Sequence, residues 1–307
     1  MSTKTPVAFL IFNRPDTTAR VFAEIRRARP SRLLVVADGP RTDRKGEEEL
    51  IAATRAIIDR VDWPCEVLKN YSDVNLGCKR RVSSGIDWVF NTVEEAIILE
   101  DDCLPDPSFF SFCEELLARY RNDDQICQIC GVNFQFGNNI TEYSYYFSRY
   151  CHIWGWASWR RAWQGYDVEM KSWKGMHKRR ELADILSQKE IVDYWASIFD
   201  LVYRGKIDTW DYQWTFHNMI RKRFSIIPNV NLISNIGFTV GATHTTGQSR
   251  FNNMKREHMN FPLKHPPDVR CNSAADRFTE TEHYMIRLNA GFVGKIFNTL
   301  RHIKSAV

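Results

Sequence analysis

Three acids, Glu100-Asp101-Asp102, follow directly on the apolar run Ala96-Ile97-Ile98-Leu99. Adjacent carboxylates repel one another, so this stretch calls for a cation or for abundant water. Hard oxygen ligands on a short rigid segment suit Mg²⁺ or Mn²⁺, which keep waters and take phosphate oxygens as further ligands. Such a metal would neutralise the charge that develops on a departing diphosphate. The alternative is a solvated acidic loop, helped by the N-terminus of the next helix. Four apolar residues in front of the acids place them at the edge of a sheet and favour the metal. Arg14, Lys79, Arg80 and Arg81 can supply positive charge to a nucleotide, and Asp38 can accept from a base N–H. The basic run 79–81 reads equally well as an exposed helix face. The chain has no Walker-A pattern and no G-x-G-x-x-G after its first strand, which argues against a P-loop NTPase and a dinucleotide dehydrogenase. A nucleotide bound here needs side chains and metal in place of a glycine cradle.

The elements that must position these residues alternate. The runs "VAFLIFN" (7–13), "RLLVVADG" (32–39), "CEVLKN" (65–70) and "AIILEDD" (96–102) read as strands. Helices are predicted over 16–29, 46–61 and 77–91, and Asp106-Pro107 opens a fourth. Short continuous apolar strands separated by helices predict a parallel sheet covered on both faces. Such sheets bind ligands at the carboxyl ends of their strands. Those ends read Asn13-Arg14-Pro15, Asp38-Gly39-Pro40, Asn70 and Glu100-Asp101-Asp102.

The second half is different. Residues 143–163, "YSYYFSRYCHIWGWASWRRAW", are aromatic and Gly-punctuated, then basic and helical; 178–204 and 210–223 read as helices, "FSIIPNVNLISNIG" as strand, and "GATHTTGQSRFNNM" as a polar loop. With no repeat and no low-complexity linker, the reading is one domain over 1–260, with a nucleotide half (1–135) and an acceptor half (136–260). A C-terminal helical tail follows over 261–307. The predicted fold class is α/β, a mixed, mostly parallel sheet flanked by helices.

Bulk properties decide less. The 307 residues are 44% hydrophobic and 26% charged, as in ordinary soluble proteins. A formal charge of +5 suits an anionic small molecule or a membrane surface as well as nucleic acid. Ten Trp residues, several clustered, read as a ring-stacking surface or as core. No apolar stretch of about 18 residues occurs, and the start lacks a cleavable signal pattern. The eight Cys form no framework and read as reduced cytosolic thiols. Cys127-x-x-Cys130 lacks a second pair and sits in the strand-like "ICQICGVNF", which favours buried thiols over zinc.

Several of these segments together resemble the GT-A nucleotide-diphospho-sugar glycosyltransferases. The residues are "NRP" after strand one, "DG" after strand two, "NLGCKRR", and a hydrophobic strand ending in "LEDD" before "PDPSFF". The resemblance continues through "WGWASW" (154–159), "DTWDYQW" (208–214) and "IIPNVNLISNIGFTVGATHT" (226–245) and covers roughly residues 5–250. It is strongest to the inverting N-acetylglucosaminyltransferase type I group and its bacterial relatives. The resemblance implies a Rossmann-like GT-A fold, with Asp102 on a Mn²⁺ or Mg²⁺ that bridges the donor diphosphate. It places Asp101 by the ribose or the metal's waters, Glu100 on the transferred sugar, Asn13, Arg14 and Asp38 on uridine, and Lys79 or Arg80 near the phosphates. Asp211 matches the general base that deprotonates the acceptor hydroxyl as it attacks C1. Chemistry agrees: the reaction needs a carboxylate away from the metal, and Trp210 and Trp214 can keep it partly dry and raise its pKa. Asp211 can instead cap the helix after it, and Asp208 is a second local candidate. His244, in "GATHTTG", stands where several GT-A enzymes contact metal or phosphate.

Trp154, Trp156 and Trp210 are candidates for stacking on acceptor sugar rings, or else they pack beneath the site. The tail 283–307 mixes apolar residues at helical spacing with Lys and Arg, so it lies on an anionic membrane or packs on the domain. The expected partners are a UDP-sugar and a glycan or lipid-linked glycan from bacterial surface polysaccharide synthesis, with no nucleic acid. The expected location is cytoplasmic, with peripheral contact at the inner membrane. Two other readings are a nucleotidyltransferase, which usually carries a Gly-rich basic loop that "NRPDTTAR" lacks, and a non-catalytic carbohydrate-binding protein on a degenerate transferase fold.

Overall fold

The apolar run after Pro6 forms strand β1 (Val7–Ile11), buried along its whole length in the computed structural model of the chain. The structure describes residues 3–186, 188–238 and 250–287. Helix α1 (Pro15–Ala28) starts on a proline, with Asp16 in its first turn and Arg26 and Arg27 in its last, each complementing the helix dipole. Then follow β2 (Arg32–Ala37), α2 (Glu47–Ala56), β3 (Glu66–Tyr71), α3 (Gly77–Thr92), β4 (Glu95–Glu100), β5 (Cys103–Pro105) and α4 (Ser108–Arg119). The helix expected over 46–61 tightens into a 3₁₀ turn at Ile57–Arg60.

The second half holds β6 (Ile126–Cys130), β7 (Tyr145–Ser148), β8 (Trp156–Trp159), α5 (Arg160–Trp163), α6 (Met176–Ile185), α7 (Lys189–Tyr203), α8 (Asp211–Met219), β9 (Phe224–Pro228), β10 (Ile233–Asn235) and α9 (Ser273–Phe278). Two of these strands, β7 and β8, lie inside the stretch read as aromatic loop and helix. The helix read over 178–204 is two helices.

Eight strands form one sheet in the order β3-β2-β1-β4-β8-β6-β9-β7, and β10 pairs with β5 in a small second sheet. Pairings β1–β2, β2–β3, β1–β4 and β6–β9 are parallel. Pairings β4–β8, β6–β8 and β7–β9 are antiparallel. Six strands therefore point one way, and only β7 and β8 oppose them. The mixed, mostly parallel sheet is as expected.

Side chains alternate across the sheet, as strand geometry requires. Val7, Phe9 and Ile11 join a core shared with Val21, Ile25 and Phe112 of α1 and α4. Ala8 and Leu10 join a second core with Ile86, Phe90, Trp163 and Trp214 from α3, α5 and α8. A third cluster forms around α7, with Trp195, Phe199 and Phe216. The segment past residue 260 packs on this body: Cys271 bridges to Phe147, and the Asn272 side chain caps α9 by accepting from the Ala275 N–H at 3.0 Å. All eight cysteines are free; Cys127 and Cys130 are fully buried in separate clusters, so they do not face a common ligand. Among the described residues, no helix is long and apolar enough to cross a membrane. The tail's last residues, 288–307, lie outside the described residues.

Candidate functional site

The parallel register brings the expected acids and bases together at the carboxyl edge of the sheet. Leu10 of β1 pairs with Glu100 of β4, so the residues that leave each strand, Phe12–Arg14 and Asp101–Asp102, meet one step beyond. The Phe12 N–H donates to Asp101 Oδ2 at 3.1 Å, and Arg14 Nη1 donates to Asp102 Oδ2 at 2.8 Å and lies 3.8 Å from Asp101 Oδ1. β5 and β10 close over this cluster. The Ile236 N–H donates to the Asp102 carbonyl at 2.8 Å, and Gly237 lies against the ion pair. A Cβ at Gly237 would stand 2.3 Å from Asp102 Oδ2 and 2.9 Å from Arg14 Nη1, so only glycine lets the backbone approach this far.

Crowding sets the electrostatics. Burial first, and then Asp102 and Asp101, push the Glu100 carboxyl up to about 8; Asp211 adds to the push. Burial and Asp102 push Asp101 up to about 7, against the pull of Arg14 and the Phe12 amide. Burial alone would lower the Arg14 pKa, but Asp101 and Asp102 more than offset it and raise it. Among the described residues, Arg14 is the cation that these three carboxylates share.

No group of three His, Cys, Asp or Glu among the described residues forms a metal cage. Among the described residues, Asp102 Oδ1 has only a 3.6 Å thiol contact from Cys103. The excess negative charge and this lightly engaged oxygen fit an ion held by one or two carboxylates, with phosphates and water completing the shell.

The neighbouring loops are tied by a residue that the sequence reading passed over. Glu47, buried at the start of α2, accepts from Asn13 Nδ2 at 2.9 Å and from the Arg41 N–H at 2.7 Å, and it pairs with the Arg41 guanidinium. The Arg41 guanidinium lies 5.5 Å from the centroid of the Phe12 ring. Glu47 sits in "GEEE", where it reads as one more acid in a helix's first turn, so composition gave no signal for it. Asp38 is buried and accepts from the backbone N–H groups of Gly39 at 2.9 Å, Leu76 at 2.9 Å and Gly77 at 3.0 Å. Here it shapes the loop before α3 by accepting from the chain's own amides.

The basic run 79–81 divides. Lys79 Nζ donates to Glu169 Oε2 at 3.1 Å, Arg80 is exposed, and Arg81 is buried, donating to the Ala37 carbonyl at 3.1 Å and to Asn70 Oδ1 at 2.7 Å. Arg81 is a structural strut between β2 and β3.

Asp211 is the first residue of α8, and its carboxylate accepts from the Thr209 hydroxyl. The N-cap position itself belongs to Trp210. Burial raises the Asp211 pKa, against the opposing pull of Thr209 and the amides of Asp211 and Tyr212. Asp208 is exposed, near the loop that opens α3. Asp211 opens into a pocket lined by Trp154, Tyr194, Tyr212, Thr215, Phe251 and Tyr284, among others.

The stacking candidates separate by burial. Trp156 is 0% exposed in β8 and Trp210 is 2% exposed; they stack on each other at 5.9 Å and have no face open to a sugar. That corrects the expectation for both, because β8 inserts between β4 and β6 and turns Trp156 into the second core, where Trp210 packs with it. Trp154 remains partly exposed, at the pocket. Gly155 divides the two environments with φ +59°; a Cβ there would come within 2.5 Å of Ile233. His244 lies outside the described residues.

No family model matches the chain, and no curated protein matches it. Among solved structures it is similar to a mannosyltransferase from Pyrobaculum calidifontis in complex with GDP-Man and Mn²⁺, at 9% identity and TM-score 0.41, over 72% of this chain and 70% of that one. It is also similar to a UDP-glucose pyrophosphorylase complexed with UDP-glucose, at 11% identity and TM-score 0.35, over 73% of this chain and 90% of that one. A third is mouse xyloside xylosyltransferase 1, at 11% identity and TM-score 0.34, over 71% and 84%. At this level of likeness the chemistry of those proteins does not transfer to this chain.

Proposed function

We propose that the chain is a metal-dependent, inverting glycosyltransferase that moves a sugar from a UDP-sugar, with UDP-GlcNAc the first candidate, to a glycan or glycolipid. The observation that carries this reading is the pairing of two acidic sites within electrostatic reach of each other. The Arg14-bound acids 100–102 stand at the sheet edge, and Asp211 stands apart from them on a pocket, close enough to raise the Glu100 pKa. Displacement at C1 with inversion needs this separation, because base and leaving group act on opposite faces of the sugar.

In this reading Arg14 takes a diphosphate oxygen, and the loops held by Asp38 and Glu47 flank the nucleoside. Glu100, at the lip of β4, meets the donor's sugar. Asp102 would hold a divalent ion, which supplies charge neutralisation to the diphosphate as it leaves. Asp211 accepts the proton from the acceptor hydroxyl; its raised pKa brings it nearer the working pH, where a general base is most effective.

The test is UDP binding by calorimetry with and without MnCl₂, followed by hydrolysis of a panel of UDP- and GDP-sugars. UDP should bind, and more tightly with Mn²⁺; no binding in either condition would sink the reading. Asp211→Asn should lower turnover by about 10²–10⁴-fold and leave UDP affinity unchanged. Normal turnover in that variant would remove Asp211 as the base.

A further inference from the structure

The pocket beside Asp211 has a chemical character of its own. Its wall is built from parts far apart in sequence: Trp154 from the loop before β8, Tyr194 from α7, Tyr212 and Thr215 from α8, and Tyr284 from the turn after α9. The Trp154 indole is held by edge-on contacts with Phe134 at 5.2 Å and Phe238 at 5.7 Å and stays partly exposed. Tyr284 packs edge-on against Trp195 at 4.9 Å and Tyr150 at 5.2 Å, so its ring is fixed from behind. Tyr194 and Tyr284 stand 5.9 Å apart, ring to ring. Thr215 follows Asp211 by four residues and shares its face of α8.

Charge is scarce in this wall. Among the described residues no Lys or Arg lines it, and burial pulls His152 down to about 3, so that imidazole is neutral. Burial pushes the Tyr194, Tyr212 and Tyr284 phenols up, so all three keep their protons and can donate hydrogen bonds. An anion entering here would meet the Asp211 carboxylate with no lining Lys or Arg among the described residues to offset it, which is costly in a partly dry site. A neutral ring with an apolar face and hydroxyl edges meets no such penalty and fits an aromatic surface edged with polar tips.

We propose that this pocket takes an uncharged sugar ring as acceptor, with Trp154 under the ring and Tyr194, Tyr212 and Tyr284 bonding its hydroxyl groups. The inference rests on the transferase reading for the word acceptor, and it adds what that reading leaves open: the acceptor end carries no phosphate or carboxylate at this subsite. It also gives the segment after residue 270 a task, since Tyr284 selects the ligand from there.

The experiment titrates the full chain with the methyl glycosides of glucose, galactose and N-acetylglucosamine and with methyl glucuronide, following tryptophan fluorescence and saturation-transfer NMR. UDP is titrated separately. At least one neutral glycoside should bind, and the glucuronide should bind at least tenfold more weakly. Tyr284→Phe should weaken the neutral glycoside about threefold to tenfold, the effect of one hydrogen bond, and Trp154→Phe should weaken it without loss of fold by circular dichroism. Both variants should bind UDP as the parent does. Failure of every glycoside to bind, or equal binding of the glucuronide, overturns the proposal whatever UDP does. Glycoside binding without UDP binding supports the pocket and overturns the transferase reading.

Discussion

Glu100 and Asp101 sit where they repel each other, and the consequence is measurable as stability. Their carboxyls are pushed to about 8 and about 7 in the folded chain, against about 4.3 and 3.9 in an unfolded one. Between those limits the native state binds more protons than the unfolded state, so this pair's contribution to stability is present at low pH and is lost as pH rises toward 8. The buried His152, held down to about 3, acts in the opposite sense below neutrality, so one curve alone is ambiguous. The difference between parent and Glu100→Gln isolates the acid: the variant should gain in melting temperature relative to the parent as pH goes from 5 to 8.5. Parallel curves would show that Glu100 carries no such strain.

This pairing was legible in the sequence because strand exits are legible. Apolar runs ending in Asn13-Arg14 and Glu100-Asp102 mark the same edge once the strands are parallel. The fate of the tryptophans was not, since an indole suits both a core and a sugar surface and only the strand neighbours decide.

At the scale of elements, α3 shows how one basic run serves two purposes. Arg81 reaches back beneath the helix to the carbonyl ends of β2 and β3, while Arg80, one residue earlier, faces solvent. Replacing Arg81 by Met removes the hydrogen bonds it donates to the Ala37 carbonyl and to the Asn70 carbonyl and Oδ1, and should cost about 2–4 kcal/mol in urea denaturation. Arg80→Ala should stay within about 0.5 kcal/mol. Equal costs would mean that the strut is not the source of the difference. The sequence showed only three adjacent cations, because helical phase relative to a sheet depends on where the helix starts. Gly77, with φ +77°, sets that start. Similarly β8 was hidden: "WGWASW" lacks the continuous apolar run that marked β1 to β4, and Ser158 occupies a core position by donating to the Cys127 carbonyl at 2.6 Å.

At the scale of the molecule, the two halves share one sheet. β8 is hydrogen-bonded to β4 on one side and to β6 on the other. Neither half can lose its strands without opening the other's edge, so far-UV circular dichroism and tryptophan fluorescence should report coincident urea transitions. Two separated transitions would show that the halves fold as independent units. The first half's architecture was plain from its alternating pattern. The joining of the halves was not, because it depends on a four-residue strand that runs against its neighbours.

That inserted strand also dictates how the chain is made. Strand β4 ends at residue 100 and its partner β8 at residue 159. At about 5–20 residues per second, a growing chain carries the bare Ile97-Ile98 edge for roughly 3–12 s before its cover is synthesised. An uncovered apolar edge is a template for pairing with other chains. Soluble yield should therefore track translation speed through residues 101–159, and holdase chaperones should act on the nascent chain within that window.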